Sequence, residues 1–276
     1  MTATLGAVEE AVGPYRLVRL LGEGGMGRVF EAVREPDGDR VAVKLLKPVP
    51  GADEEVRRRF LREARTARSL EHPRLVGVLD AGEDDGQMYL VMRYVEGRSL
   101  QERIDEEGAL PVPDAVRVAG QVAEALDALH AAGVVHRDVK AANVFLDGAG
   151  DAVLGDLGLA RPPGASALTA PGQMLGTLTT MAPEMIRGEP AGPPADVYAF
   201  ACVVFQSLTG APPFKGSSMF EVGFAHLDQE PPDAAALRPE LPPEAGDAIR
   251  RGLAKSPADR PASAGMLAGW LRALTR

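Results

Sequence analysis

The chain has 276 residues, 45% hydrophobic and 25% charged, the balance of a folded globular protein rather than a fully disordered one. Its net charge of −9 excludes a general polyanion binder, because nucleic-acid affinity depends on neutralising phosphates with Lys and Arg. Its single cysteine, Cys202, excludes an intramolecular disulfide, and its longest apolar run, Val197 to Phe205, is far shorter than the ~20 residues that cross a bilayer.

In chain order, residues 1–13 read as a loose leader. Met1 to Glu10 has no basic region of the kind that opens a secretory signal. Strand-like text follows at Tyr15–Leu21 and Arg28–Val33, separated by a glycine cluster. Asp37-Gly38 predicts a hairpin turn into a strand at Val41–Leu46. A charged helix is expected from about Asp53 to Leu70. Two more strands are expected at Leu75–Ala81 and Met88–Tyr94, around Asp84-Asp85-Gly86. Residues 14–95 thus predict five strands and one helix, and the composition changes near Val95–Gly97.

The remainder, 96–276, predicts a mostly helical unit. An Ala-rich helix runs from Asp114 to Ala132, with Gly133 beyond its end. Short strands and loops fill 134–160, and Pro- and Gly-rich text fills 161–194. Further helices are expected at Asp196–Thr209, 244–254 and 263–274. Met266, Leu267, Trp270, Leu271 and Leu274 form a stripe read as core packing.

Four features point to chemistry. Gly22-Glu-Gly24-Gly25-Met-Gly27-Arg-Val29 is G-x-G-x-x-G-x-V, whose glycines let backbone approach phosphates closely. It runs from strand to strand, not from strand to helix, which favours a nucleotide-covering hairpin over a dinucleotide fingerprint. In the next strand Ala42, Lys44 and Leu46 share one face and Val41, Val43 and Leu45 the other. On the 53–70 helix Val56, Phe60, Glu63, Ala67 and Leu70 share a face, so Glu63 lies within an apolar stripe and needs a cation; Lys44 is the candidate. The arginines at 57, 58, 59, 62, 65 and 68 spread over the other faces and read as a solvated surface. Last come His136-Arg137-Asp138-Val-Lys140-Ala-Ala-Asn143 and Asp156-Leu-Gly158. They supply a carboxylate to accept a hydroxyl proton, a lysine to neutralise a phosphate, and an amide and carboxylate to hold Mg²⁺.

This ordered set resembles the protein kinase signature, and in detail the bacterial eukaryotic-like (Hanks-type) Ser/Thr protein kinases. The likeness covers about 15–272. It implies an α+β, bilobal protein-kinase-like fold: a five-stranded antiparallel N-lobe with one main helix (14–95) and a mostly α-helical C-lobe (96–276). It implies ATP and Mg²⁺, with Mn²⁺ an alternative, bound between the lobes, and transfer of the γ-phosphate to Ser or Thr of protein substrates. By resemblance Lys44 pairs with Glu63 and holds the α/β-phosphates, Asp138 is the base, Lys140 meets the γ-phosphate, and Asn143 and Asp156 bind the metal. Leu21, Gly22, Gly24, Gly25, Gly27, Val29, Ala42, Met92 and Phe145 surround the nucleotide, with backbone of Arg93 and Val95 meeting adenine. Arg137 receives a phosphate carried by the activation loop, for which Thr169 and Ser166 are the candidates. Thr177, with Lys140, marks a Ser/Thr acceptor. Asp196 braces the catalytic loop, and Glu184 of Ala182-Pro183-Glu184 pairs with Arg260. The chain departs from the family pattern at Arg93, Ala141, Phe145, Leu157, Thr180 and Ala201.

His136 reads as an anchor of its loop and Cys202 as a buried side chain. The expected setting is a cytoplasmic monomer or weak homodimer with no nucleic-acid partner, the catalytic piece of a longer membrane receptor being an open alternative. A pseudokinase scaffold and a small-molecule phosphotransferase of kinase-like fold stay as rival readings. Retention of Lys44, Glu63, Asp138, Asn143 and Asp156 weighs against the first, and the Ala-Pro-Glu segment against the second.

Overall fold

A computed structural model describes residues 11–25, 27–47, 54–157 and 178–275. The chain divides into two units, one comprising residues up to Glu71 with Val76–Val95, the other His72–Leu75 with Glu96 onward.

In the first unit, alternation of apolar and polar residues builds an antiparallel sheet of six strands: β1 (Ala11–Val12), β2 (Tyr15–Gly24), β3 (Gly27–Arg34), β4 (Arg40–Leu46), β5 (Val78–Asp84) and β6 (Gln87–Arg93). Their order is β1-β2-β3-β4-β6-β5. One face packs the core, with Tyr15, Leu17, Phe30, Ala32, Val41, Val43, Leu45, Tyr89 and Val91. The five expected strands are present, with two corrections. Ala11 and Val12, expected in a loose leader, pair with Arg16 and Tyr15 because Val12 has a core to enter and Gly13 turns at φ 53°. The strand expected at Leu75–Ala81 lies at Val78–Asp84, since Leu75 instead forms a parallel bridge to Leu154 in the other unit's own fold. Asp85 and Gly86, both at positive φ, close the β5–β6 hairpin. Helix α1 (Glu54–Arg68) turns Phe60, Ala64 and Ala67 inward and packs on β5.

Among its described residues the second unit is helical apart from a three-stranded sheet of β7 (Arg98–Ser99), β8 (Val144–Leu146) and β9 (Ala152–Leu154). Its helices are α2 (Leu100–Glu107), α3 (Val112–Ala131), α4 (Pro183–Ile186), α5 (Pro193–Thr209), α6 (Met219–Asp228), α7 (Ala234–Leu237), α8 (Pro243–Gly252) and α9 (Ala264–Leu274). Helix α5 is buried at every position from Ala195 to Leu208, so its apolar run is an interior helix, and it ends at Gly210 in the left-handed conformation. Helix α3 packs against α5 and α9. The stripe expected on α9 is core only in part. Leu267 and Leu271 are buried with Ala264 and Ala268, whereas Met266 and Leu274 are exposed and Trp270 lies beneath the Arg251 guanidinium. No helix among the described residues is long and apolar enough to cross a membrane.

Four helices escape the reading by periodicity: α2, α4, α6 and α7. Three of them carry a local start signal. Ser99 and Glu102 form a full capping box on α2, the Ser218 side chain accepts from the Glu221 N–H on α6, and the Asp233 side chain accepts from the Ala235 N–H on α7.

Candidate active site

Strand pairing sorts the first unit's candidate residues. Lys44 stands opposite Val29 on β3 and Leu90 on β6, and Ala42 opposite Met92. Cross-strand partners share a face, so Val29, Ala42, Lys44 and Met92 lie together on the side away from the core. Lys44 is buried there. Gly24 pairs with Gly27, which makes the glycine cluster a tight strand-to-strand turn. Leu21, Gly22 and Gly25 are exposed. Gly27 is needed for close approach: a Cβ there would stand 2.1 Å from the Leu45 carbonyl oxygen. Glu63 is half-buried on α1 beside Phe60, Ala64 and Ala67. The Arg93 N–H donates to the Gly77 carbonyl at 2.9 Å, and Val95 is half-buried.

In the second unit the segment between α3 and β8 forms a closed polar cluster. Asp138 is buried, and its Oδ2 accepts from Lys140 Nζ at 2.8 Å and from Asn143 Nδ2 at 3.1 Å. Asn143 Nδ2 also donates to the Asp138 carbonyl at 2.8 Å. One 3-10 turn, Ala141–Asn143, closed by the Asn143 N–H on the Lys140 carbonyl, brings these three side chains together. The Gly155 N–H donates to the Asn143 carbonyl at 2.8 Å, which ties Asp156 to the same cluster. Asp156 and Arg137 both hold left-handed backbone, at φ 56° and 65°. Strained conformations of this kind persist where the surroundings over-determine them.

Among the described residues, Asp196 and His136 supply part of those surroundings. Asp196, in the first turn of α5, accepts the His136 N–H at 2.7 Å and the Arg137 N–H at 2.8 Å. His130 Nε2 reaches the same carboxylate at 2.8 Å. His136 is fully buried; its Nδ1 faces the Asp138 N–H at 3.3 Å and its Nε2 the Gly155 carbonyl at 3.0 Å. The ring thus bridges the Asp138 and Asp156 segments as a strut. Beside Asp138 lies a small cavity that Arg137, Asp196 and Thr180 line together with Met181, Met185, Ala195 and Ala199.

Glu184 on α4 meets Arg260 in a bidentate pair, both contacts at 2.7 Å. The other Arg260 donors go to the carbonyls of Ala254, Pro194 and Lys255, so all five are satisfied. Phe145 is half-buried on β8, and Leu157 is buried. Cys202 is buried, and burial pushes its thiol pKa up, which keeps it a protonated, unreactive group. Ser166, Thr169 and Thr177 lie outside the described residues. Sequence reasoning missed His130, Gly155 and the small cavity, because each depends on a partner distant in the chain.

A buried carboxylate held by a lysine and an amide, tied to a second aspartate on a loop clamped by a third, is the arrangement of the protein-kinase class. The chain belongs to the protein kinase domain family, whose model matches residues 15–270. It is 42% identical over 269 residues, 97% of this chain, to serine/threonine-protein kinase PknD of Mycobacterium tuberculosis. It is 44% identical over 256 residues, 93% of this chain, to serine/threonine-protein kinase PknH of the same organism. Its length spans 40% of the first relative and 41% of the second. The crystal structure of the Mycobacterium tuberculosis PknI kinase domain matches with a TM-score of 0.78 at 33% identity, covering 97% of this chain and 99% of that one.

Proposed function

We propose that this chain is a catalytic domain that transfers the γ-phosphate of ATP to Ser or Thr hydroxyls of proteins. The observation that carries the reading is the cluster in which Lys140 and Asn143 both hold the Asp138 carboxylate. Asp138 accepts the proton of the attacking hydroxyl, as the two donors fix its rotamer and leave the oxygen nothing to reorganise. Lys140 adds positive charge where the transferring phosphate gains electron density.

The residues fit a divalent metal. Asn143 commits Nδ2 to Asp138, which leaves its Oδ1 as an acceptor with no partner among the described residues. Asp156 adds a carboxylate on the tethered neighbouring segment. Two hard oxygen donors of this type suit Mg²⁺, with Mn²⁺ the alternative. Mg²⁺ supplies charge neutralisation on the nucleotide phosphates when bound. In this reading Lys44, oriented by Glu63, holds the α/β-phosphates. Backbone from Gly22 to Gly27 covers them. Leu21, Val29, Ala42, Met92 and Phe145 pack on adenine, and the Arg93 and Val95 backbone binds its edge. Arg137 is the receptor for a phosphate on Thr169 or Ser166, and Thr177 sets the Ser/Thr preference with Lys140. The setting that fits the longer relatives is a catalytic piece of a larger signalling protein.

Intact mass before and after incubation with ATP and Mg²⁺, beside an Asp138→Asn control, tests the reading. Stepwise phosphate additions in the wild type alone support it. Nucleotide binding with no transfer to the chain itself or to a generic protein acceptor would establish a pseudokinase instead.

A further inference from the structure

Among the described residues of the first unit, two charged side chains are buried, Lys44 and Glu31. Lys44 has a place in the nucleotide reading; Glu31 has none. On β3 Glu31 stands opposite Arg19 of β2 and Ala42 of β4. It therefore shares the face of Val29, Ala42 and Met92, away from the core. Its carboxylate is divided between two cations: Oε2 meets Arg19 Nε at 2.7 Å, and Oε1 meets Arg40 Nε at 3.0 Å. Both arginines then converge on one ring. Arg19 Nη2 donates to the Tyr94 hydroxyl at 3.2 Å, and the Arg40 guanidinium lies over the Tyr94 ring, 4.2 Å from its centroid.

Tyr94 stands where the sheet stops holding the chain. Strand β6 ends at Arg93, whose partner on β4 is Val41. One step further in that register Arg40 faces Tyr94, so side chains continue the pairing past the strand's end. Among the described residues no backbone–backbone hydrogen bond engages Val95. Each residue has one N–H and one C=O, and groups that are to meet a ligand cannot also be committed to a ladder. The placement of such groups falls to neighbouring side chains.

We infer that Tyr94, clamped by Arg19 and Arg40 on the Glu31 carboxylate, is a positioning residue that sets the 93–95 backbone for the edge of adenine. The inference rests on the kinase reading above. Hydrogen bonds weaken steeply out of line, so a loosened segment loses base recognition. The Asp138 cluster is built within the other unit and does not depend on Tyr94.

The test compares wild type with Tyr94→Ala, Tyr94→Phe and Glu31→Gln on a generic protein acceptor. Two phosphate donors are used: ATP, and purine riboside triphosphate, which lacks the exocyclic amino group that a backbone carbonyl accepts. The expected result in Tyr94→Ala and Glu31→Gln is an ATP KM raised about tenfold, with kcat and the acceptor KM unchanged. The analogue KM should rise less than about threefold, because the analogue has fewer base hydrogen bonds to lose. Tyr94→Phe keeps a ring beneath Arg40 and should retain most of the wild-type ATP affinity. Equal loss on both nucleotides, or a fall in kcat at unchanged KM, would overturn positioning and make the four residues a support of the sheet. Unchanged kinetics in Tyr94→Ala and Glu31→Gln would overturn it while leaving the kinase reading standing. No transfer from ATP by the wild type would end the kinase reading and this proposal with it.

Discussion

Asp138 is held in place by charges and donors, each with a separable effect. Asp138→Asn keeps the shape of the site but removes the carboxylate proposed as proton acceptor. Phosphate transfer to a protein acceptor should fall by about 10²–10⁴-fold, while nucleotide affinity, measured by calorimetry, stays near wild type. Glu184 lies far from that chemistry in role. Its loss leaves Arg260, whose side chain is fully buried, without its counter-ion. Removing one partner of such a pair costs about 3–5 kcal/mol. Glu184→Gln should therefore lower the denaturant midpoint markedly; an unchanged midpoint would show that the three carbonyls on Arg260 and the Tyr198 ring beneath it suffice alone.

At the scale of elements, helix ends and close approaches matter most. The Ser99 hydroxyl accepts the Glu102 N–H at 3.1 Å and the Glu102 carboxylate accepts the Ser99 N–H at 2.6 Å. Ser99→Ala should cost about 1 kcal/mol in urea unfolding. Helices α5 and α8 meet where Gly252 faces Ala201. A Cβ on Gly252 would stand 2.7 Å from the Ala201 Cβ and 2.9 Å from Leu267 Cδ2. The alanine at 201 is thus accommodated by a glycine on the facing helix. Gly252→Ala should destabilise by about 1–3 kcal/mol. Ala201→Gly/Gly252→Ala should recover at least half of that, a coupling expected of residues in contact. Additive effects in this cycle would mean that the helices shift apart freely.

At the scale of the whole molecule, pH acts through a buried histidine. His226 is fully buried, with the Tyr198 hydroxyl 2.8 Å from Nδ1 and the Phe214 ring against it. Burial first, then the nearby Lys255 ammonium, pushes its pKa down to about 3. The unfolded chain protonates this imidazole below about 6.5, the folded chain only near 3. Between those values the unfolded state binds the extra proton, so stability falls as pH falls, by at most about 1.4 kcal/mol per pH unit from this group. In His226→Gln the slope of unfolding free energy against pH between 4 and 6 should be shallower by close to one proton. Equal slopes would show that His226 takes up its proton without unfolding. Lys255, whose Nζ donates to the Ala225 and His226 carbonyls, is itself pushed down to about 8, mainly by burial. The same linkage makes stability rise with pH between about 8 and 10.5.

The sequence by itself determined the parts that depend on near neighbours. The alternation in Val41–Leu46 placed Lys44 opposite the core face because strand period is two, independent of what the strand packs on. The Asp138, Lys140 and Asn143 cluster was legible because one turn of chain closes it. The Asp85-Gly86 hairpin followed from two residues that tolerate positive φ. Helices α2 and α6 were written locally too, in Ser99–Glu102 and Ser218–Glu221, but short helices have weak periodicity and caps alone must be searched for. Tertiary structure decided what depends on distant partners. It put Val12 in a strand, moved β5 past Leu75, left Met266 and Leu274 of the α9 stripe in solvent, and exposed Phe220 and Phe224 while burying His226 on the other side of the same helix. It also brought His130 and the backbone of His136 and Arg137 onto Asp196. Apolar periodicity shows which residues share a face, but only the packed neighbours determine whether that face meets protein or water.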